Sequence, residues 1–402
     1  MHFNSPKALL LATWLAQVAT PRPFSPPSSA NAIFFLTNDA TNAVVAVPIS
    51  SDGKLSGGTV TPTGGAGSNS VNAMTGEPDA PDALIGQSAL AVSGQHVFAV
   101  NAGSNTLTML TIDRADPTKL TILGQPVPVQ GEFPNTVAIS QKHRLACVGT
   151  TGAQNGVSCA PFSREGLGQF DGLRSFGLNQ TTPPEGPTNS VSQLLFSEDE
   201  SALFATVKGN PAVNTTGFFS TFPVQTQGKQ ASVSTQDVRS SPHGTAVLFG
   251  SKTIPGTSSV FVTDASFGAA ILSVNPADGE AALVAKQTIE GQRATCWATI
   301  SSTTSTAFVT DVLRERLVEM SLSDASILSI TDLNTGAPGL LDLEAVGDMI
   351  YVLSPGNGST PAAVSVMDAS GGGAASVELV QQFDVSGLGV GPNAQGMAVL
   401  RP

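Results

Sequence analysis

One short hydrophobic phrase recurs along the chain, each time closing on a small polar or turn residue. It reads AIFFLTN at 32–38, HVFAVNA at 96–102, RLACVGT at 144–150 and ALFATVKG at 202–209. It returns as SVFVTDA at 259–265, TAFVTDV at 306–312 and MIYVLSP at 349–355. Successive copies lie 43 to 63 residues apart, room for four short strands and their turns. A second apolar phrase precedes most copies. It is SALAVSG at 88–94, NTVAISQ at 135–141, SQLLFSE at 192–198, TAVLFGS at 245–251, CWATISS at 296–302 and GLLDLEAV at 339–346. Alternating stretches follow several copies, such as NTLTMLTID at 105–113, AAILSVNP at 269–276 and RLVEMSLS at 316–323. Period-2 alternation sends neighbouring side chains to opposite faces of a sheet.

The first copy has no apolar strand in front of it, but the chain ends on AQGMAVLRP at 394–402. A ring of sheets must join its ends, and a last strand that completes the first sheet does so with ladder hydrogen bonds. The pattern therefore predicts an all-β, seven-bladed β-propeller over 32–402, with the C-terminal strand completing the first blade. The expected inner strands are 88–92, 135–139, 192–196, 245–249, 296–300, 340–346 and 395–399. A β-sandwich also uses short strands, but it does not call for seven copies of one phrase and an orphan strand at the far end. Residues 56–86, 154–190 and 208–244 read as enlarged connections, able to cover one face of the ring or to stand as tolerated insertions.

Composition agrees with many short strands and turns: 41 Gly, 27 Pro and 12% charged residues among 402. The net charge of −12 argues against nucleic acid and against an anionic membrane surface. Residues 1–19 read as a signal peptide, with Lys7 ahead of an apolar run and small residues at 16–19, and residues 20–31 as a Pro/Ser-rich lead-in. The run is too short for a membrane anchor. The expected location is extracellular, with Asn179, Asn214 and Asn357 as sequons for surface glycans. Cys147 and Cys159 suit adjacent strands of one hairpin, either bridged or as two small buried side chains; Cys296, beside Trp297, reads as core.

Inner strands surround an axial channel, so residues at their leading ends converge. Short phrases there are FPN at 133–135, GPTN at 186–189, SPH at 241–243, EGQRATCW at 290–297, APG at 337–339 and GPN at 391–393. Arg293 offers a fork of donors to a carboxylate or phosphate. His243 and Glu132 are candidates for moving a proton. Asn135, Asn189 and Asn393 are candidate substrate-binding groups, or turn residues. Asp342, in the sixth of the expected inner strands, is a further candidate base, and Lys208 faces either an anion or solvent. Asp264 and Asp311 end matching FVTD phrases, which points to repeated turn chemistry. The sequence contains no GxSxG elbow, P-loop, dinucleotide fingerprint or compact His/Cys cluster. Metal binding and oligomeric state are not assigned.

HVFAVNAGSNTLTMLTID at 96–113, SVFVTDASFGAAILSVNP at 259–276, and the Cys296–Trp297 pair followed by AFVTD at 307–311 carry a family resemblance. Over about 31–402 the chain resembles the fungal secreted branch of the lactonase-type propellers, described as 3-carboxymuconate cyclase-like and related to propeller 6-phosphogluconolactonases. The resemblance implies opening or closing of a lactone ring in a small carboxylated molecule, with no organic cofactor. Enzymes of that group use His, Arg and Glu around the channel. Arg293 resembles such an Arg, and His243 resembles the group's Pro-His pattern. FPN and GPN carry Asn where Pro-His is often found. The alternative reading is a non-catalytic secreted glycoprotein that binds a ligand or a surface.

Overall fold

The computed structural model describes residues 1–2, 31–228, 230–371 and 377–401; the expected signal segment, apart from Met1 and His2, lies outside them. Seven antiparallel sheets follow one another along the chain, each with a path of four strands. Numbered by blade from 1 to 7, the inner strands are Gln395–Leu400, Leu90–Ser93, Pro134–Ser140, Val191–Phe196, Leu248–Thr253, Thr295–Ser301 and Leu343–Val346. Blade 1 takes its inner strand from the C-terminus: Ala32 stands opposite Leu400, Ile33 opposite Val399 and Phe34 opposite Ala398. That ladder closes the ring.

Alternation along each strand builds the contacts between blades. In blade 1, Ala32, Phe34 and Leu36 pack toward blade 2, while Ile33 and Phe35 pack toward blade 7. In blade 5, Val260 and Val262 face blade 4, and Phe261 faces blade 6. Each fully buried Phe removes enough apolar surface to contribute about 2 kcal/mol. A fifth strand joins the third strands of blades 2, 3 and 4.

Register shifts recur near the leading ends of inner strands. They fall between Pro134 and Thr136, Val191 and Gln193, Leu248 and Ser251, and Thr295 and Trp297. A bulge frees one residue from the ladder and re-aims it; in blade 3 that residue is Asn135, whose side chain reaches Leu84 O. In blade 5 the inner strand starts at Leu248, later than the expected 245–249, because the Asp264 carboxylate accepts from the N–H groups of Ala246 at 2.7 Å and Val247 at 3.1 Å. Asp311 does the same for Arg293 and Ala294, at 2.7 and 3.1 Å. The two FVTD aspartates thus fix the lead-in to blades 5 and 6.

Cys147 and Cys159 face each other on the second and third strands of blade 3 and are joined by a disulfide with S–S 2.11 Å. Cys296 is free and buried, and burial pushes its thiol well up. Asn179, Asn214 and Asn357 are all exposed. Among the described residues no helix is long and apolar enough to cross a membrane.

Candidate functional site

The inner strands begin at one face of the ring, the leading face, and end at the other, the trailing face. Two enlarged connections knit a lid over the leading face: Val71–Asn72 pairs in parallel with Glu185–Gly186. Asn69 Nδ2 donates to Asn393 Oδ1 at 2.8 Å, and Asn393 Nδ2 donates to Asp39 Oδ1 at 2.9 Å. Asn393 therefore fastens this lid to blade 1.

From the lid, residues 82–88 turn down into the channel. The segment's hydrogen bonds reach around the ring. Leu84 N–H donates to Gln395 Oε1 of blade 1 at 2.7 Å, and Leu84 O accepts from Asn135 Nδ2 of blade 3 at 3.2 Å. Gln87 N–H donates to Ser192 O of blade 4 at 2.9 Å. The Gln87 side chain pairs with the blade 6 backbone, donating to Ala298 O at 2.8 Å and accepting from Ala298 N–H at 3.1 Å. Only a segment on the axis can reach so many blades. Gly86 lies too close to them for a side chain: a Cβ there would stand 2.7 Å from Ser192 O and 2.8 Å from Asn135 Nδ2. Asp82, Ile85 and Ser88 have φ of 74°, 47° and 66°, left-handed backbone that a β-branched Ile adopts only when its surroundings enforce it.

Lys208 is not solvated, and the Asp82 and Asp79 carboxyls lie near enough to act on its charge. It is buried, donates its ammonium to Ile85 O, and lies 4.4 Å from the centroid of the Phe249 ring. Burial pulls its pKa down, and burial pushes Asp82 up, while each charge partly offsets the other's shift. Asp82 accepts from Gln395 Nε2 at 2.7 Å. Asp342 is also buried, accepting from Leu343 N–H at 3.1 Å and Met397 N–H at 3.2 Å; burial raises it to about 7.

The leading-end candidates are spread over this lid and plug. Asn135 is fully buried, with Nδ2 tied to Leu84 O and, at 2.7 Å, to Val191 O, while its Oδ1 has no partner among the described residues. Glu132 accepts from Thr182 Oγ1 at 2.5 Å and from Gln154 Nε2 at 3.4 Å. Asn189 is half-buried with φ 55°, a turn position. Arg293 and His243 are exposed. Among the described residues no hydrogen bond or ion pair joins Arg293, His243 and Glu132.

At the trailing mouth the channel is open. A cavity of about 220 Å³ is lined by Ser88, Gln193, Ser251, Lys252 and the trailing ends of blades 3 to 5. Ser88 closes it from above. Gln193 bridges blades, donating to Ser88 Oγ at 3.0 Å and accepting from Ser251 Oγ at 3.0 Å. Lys252 Nζ meets Glu344 Oε1 at 2.6 Å, and Arg401 Nη2 meets Glu344 Oε2 at 3.1 Å. Two cations thus share one carboxylate, leaving a local surplus of positive charge while the neighbouring buried Asp342 is protonated. The sequence reading missed this group. Its signal was a charged residue inside each of two inner strands, Lys252 in Leu248–Thr253 and Glu344 in Leu343–Val346. Among the described residues no cluster of His, Cys, Asp and Glu has metal-holding geometry.

No protein-family model matches the chain, and no curated protein sequence matches it. Solved structures do. The periplasmic gluconolactonase of Pseudomonas aeruginosa superposes with a TM-score of 0.63 at 13% identity, over 92% of this chain and 98% of that one. A candidate 6-phosphogluconolactonase from Bacteroides uniformis gives 0.62 at 15% identity, over 92% and 100%. A protein of unknown function from Desulfotomaculum acetoxidans gives 0.57 at 11% identity, over 93% and 100%. At such identities the likeness is one of fold.

Proposed function

We propose that this protein is a secreted propeller of lactonase type, which opens or closes a lactone ring in a small carboxylated molecule at the trailing mouth of its channel. The trailing cavity carries this reading: it is the solvent-open end of the axis, and Lys252 stands on its wall beside a charge-surplus group. Lys252, supported by Arg401, holds the substrate carboxylate and stabilises negative charge developing on the ring oxygen. Glu344, the carboxylate between the two cations, accepts the proton from attacking water when a lactone is opened and returns it to the departing ring oxygen. Gln193 and Ser251 orient the ring through their remaining hydrogen-bonding capacity. The gluconolactonase named for Pseudomonas aeruginosa and the 3-carboxymuconate cyclase resemblance both support a lactone as the substrate class.

Arg293, His243 and Glu132 are the competing assignment, on the leading face, where Arg293 and His243 are open to solvent. The filled channel and the three exposed sequons favour the other reading, a non-catalytic glycoprotein that binds its ligand without turnover. One experiment separates them. The mature protein is incubated with a panel of lactones and carboxymuconates, alongside Lys252→Ala and Arg293→Ala variants with unchanged circular dichroism. The expected result is turnover by the parent protein, a loss in kcat/KM of about 100-fold in Lys252→Ala, and near-parental activity in Arg293→Ala. The reverse pattern moves the site to the leading face. Saturable binding without turnover establishes the non-catalytic reading.

A further inference from the structure

The two faces of the ring differ in where their sequons stand. The chain has three Asn-x-Ser/Thr triplets, at Asn179, Asn214 and Asn357, and the fold brings all three to the leading face. Inner strands begin at that face and each blade is antiparallel. The loop between second and third strands therefore returns there, as does the connection from one blade to the next. Asn214 sits in the loop of blade 4 between Ala202–Val207 and Phe218–Gln227, and Asn357 in the loop of blade 7 between Met349–Ser354 and Ala363–Asp368. Asn179 sits in the connection from blade 3 to blade 4, between Arg174–Ser175 and Val191–Phe196. No turn of the trailing face carries such a triplet.

Local structure leaves each of these amides open. All three side chains are exposed. Asn357 is held by its oxygen, Oδ1 accepting from Ser359 N–H at 3.0 Å and Thr360 N–H at 2.8 Å. Asn214 has φ 56° at the tip of its loop, where its backbone N–H donates to Pro211 O at 3.1 Å. Among the described residues nothing accepts a hydrogen bond from Nδ2 of Asn179, Asn214 or Asn357. Other asparagines of the same face differ: Nδ2 of Asn69, Asn135 and Asn393 is committed to the lid and plug. Asn179 stands at the edge of that lid. Its neighbour Gln180 donates from Nε2 to Glu185 O at 2.9 Å and accepts from Glu185 N–H at 3.0 Å. Glu185–Gly186 is the lid strand that pairs with Val71–Asn72, and Ala73 N–H donates to Gly186 O at 3.1 Å. Residues 73–78, which follow in the lid, are all exposed.

We propose that all three asparagines carry N-linked glycans, which sheathe the lidded leading face and leave the trailing mouth bare. The proposal rests on the secreted reading above, not on the lactone chemistry. The co-reactant is the lipid-linked oligosaccharide diphosphate of a secretory pathway. Asn Nδ2 gives up a proton and bonds to the anomeric carbon of the first sugar. The lipid diphosphate leaves from that carbon with the electron pair of the broken C–O bond. The attached sugars are bulky and hydrated, so they keep protein-sized bodies off the exposed 73–78 stretch and the two-residue strand pair behind it. A small substrate reaches the axis from the opposite side, where no glycan stands.

The test expresses the full chain in a eukaryotic host and collects protein from the medium. Native treatment with peptide N-glycosidase in heavy-oxygen water converts each glycosylated Asn to a heavy Asp, which spontaneous deamidation before the treatment does not produce. Peptide mapping is expected to find the heavy mark at Asn179, Asn214 and Asn357. Two added cysteines then read the faces: Met74→Cys on the lid, and Ser302→Cys in the trailing turn of blade 6, both at exposed positions. Each is labelled with a large polyethylene-glycol maleimide, and the buried Cys296 stays silent. Met74→Cys is expected to react several-fold faster once the glycans are removed, and Ser302→Cys at an unchanged rate. A sequon left wholly bare, an unchanged Met74→Cys rate, or an equal gain at Ser302→Cys overturns the proposal. A chain retained in the cell defeats the secreted reading and this proposal together, whereas a secreted chain with bare sequons defeats this proposal alone.

Discussion

Asp342 shows how a single residue ties the stability of the ring to pH. Its carboxyl is buried where the inner strands of blades 1 and 7 meet, and its oxygens accept from the backbone of both. Burial outweighs those hydrogen bonds and the pull of Lys252, so its pKa rises from the ordinary 3.8 to about 7. The folded state therefore binds this proton more tightly than the unfolded chain does. The stability it contributes is complete below pH 4 and is lost as pH rises through 7. Asp342→Asn removes the titration but keeps one acceptor. Melting temperatures of parent and variant are expected to converge, or to cross in favour of Asn, between pH 4 and pH 8. A gap that stays constant over that range contradicts a raised Asp342.

At the scale of elements, the segment 82–88 binds the ring by the rules a strand uses, but with side chains. Gln87 offers Ala298 the donor and acceptor that a ladder partner would offer. Gln87→Ala leaves both backbone groups of Ala298 buried without those partners, an expected loss of about 2–3 kcal/mol in urea unfolding. A loss below about 0.5 kcal/mol would mean the side chain does not hold this position. The propeller itself was legible, because Ile33, Phe35 and their counterparts repeat a period-2 alternation that local sequence reports. The start of blade 5 was not, since the Asp264 carboxylate replaces ladder partners at Ala246 and Val247. Nor was the plug. DALIGQS has the look of a loop, and its conformation is enforced by Gln395, Asn135, Lys208 and Ala298, which lie far away in sequence. The trailing group was hidden for the same reason, with Lys252, Glu344 and Arg401 on three separate strands or ends. The leading-end residues were visible as a repeated phrase, but that repetition also serves the lid, as Asn135 and Asn393 show.

The whole molecule is a ring closed twice. Around its rim, the C-terminal strand completes blade 1 and removes the open edge that a linear array would leave. Along its axis, the lid and plug fill the leading side, so the channel opens at the trailing mouth. This division leaves the Lys252, Glu344 and Arg401 group at the open end of the axis. The proposed axial site depends on the plug, which forms the roof of the axial cavity and sends any axial ligand to the trailing side. Hydrogen–deuterium exchange of the peptide spanning 82–90, followed by mass spectrometry, tests this most directly. Leu84 and Gln87 amides bonded to Gln395 and Ser192 are expected to resist exchange as long as the inner strands do, for hours at neutral pH. Exchange within seconds, as for an exposed loop, would contradict the plug and with it the closed leading face.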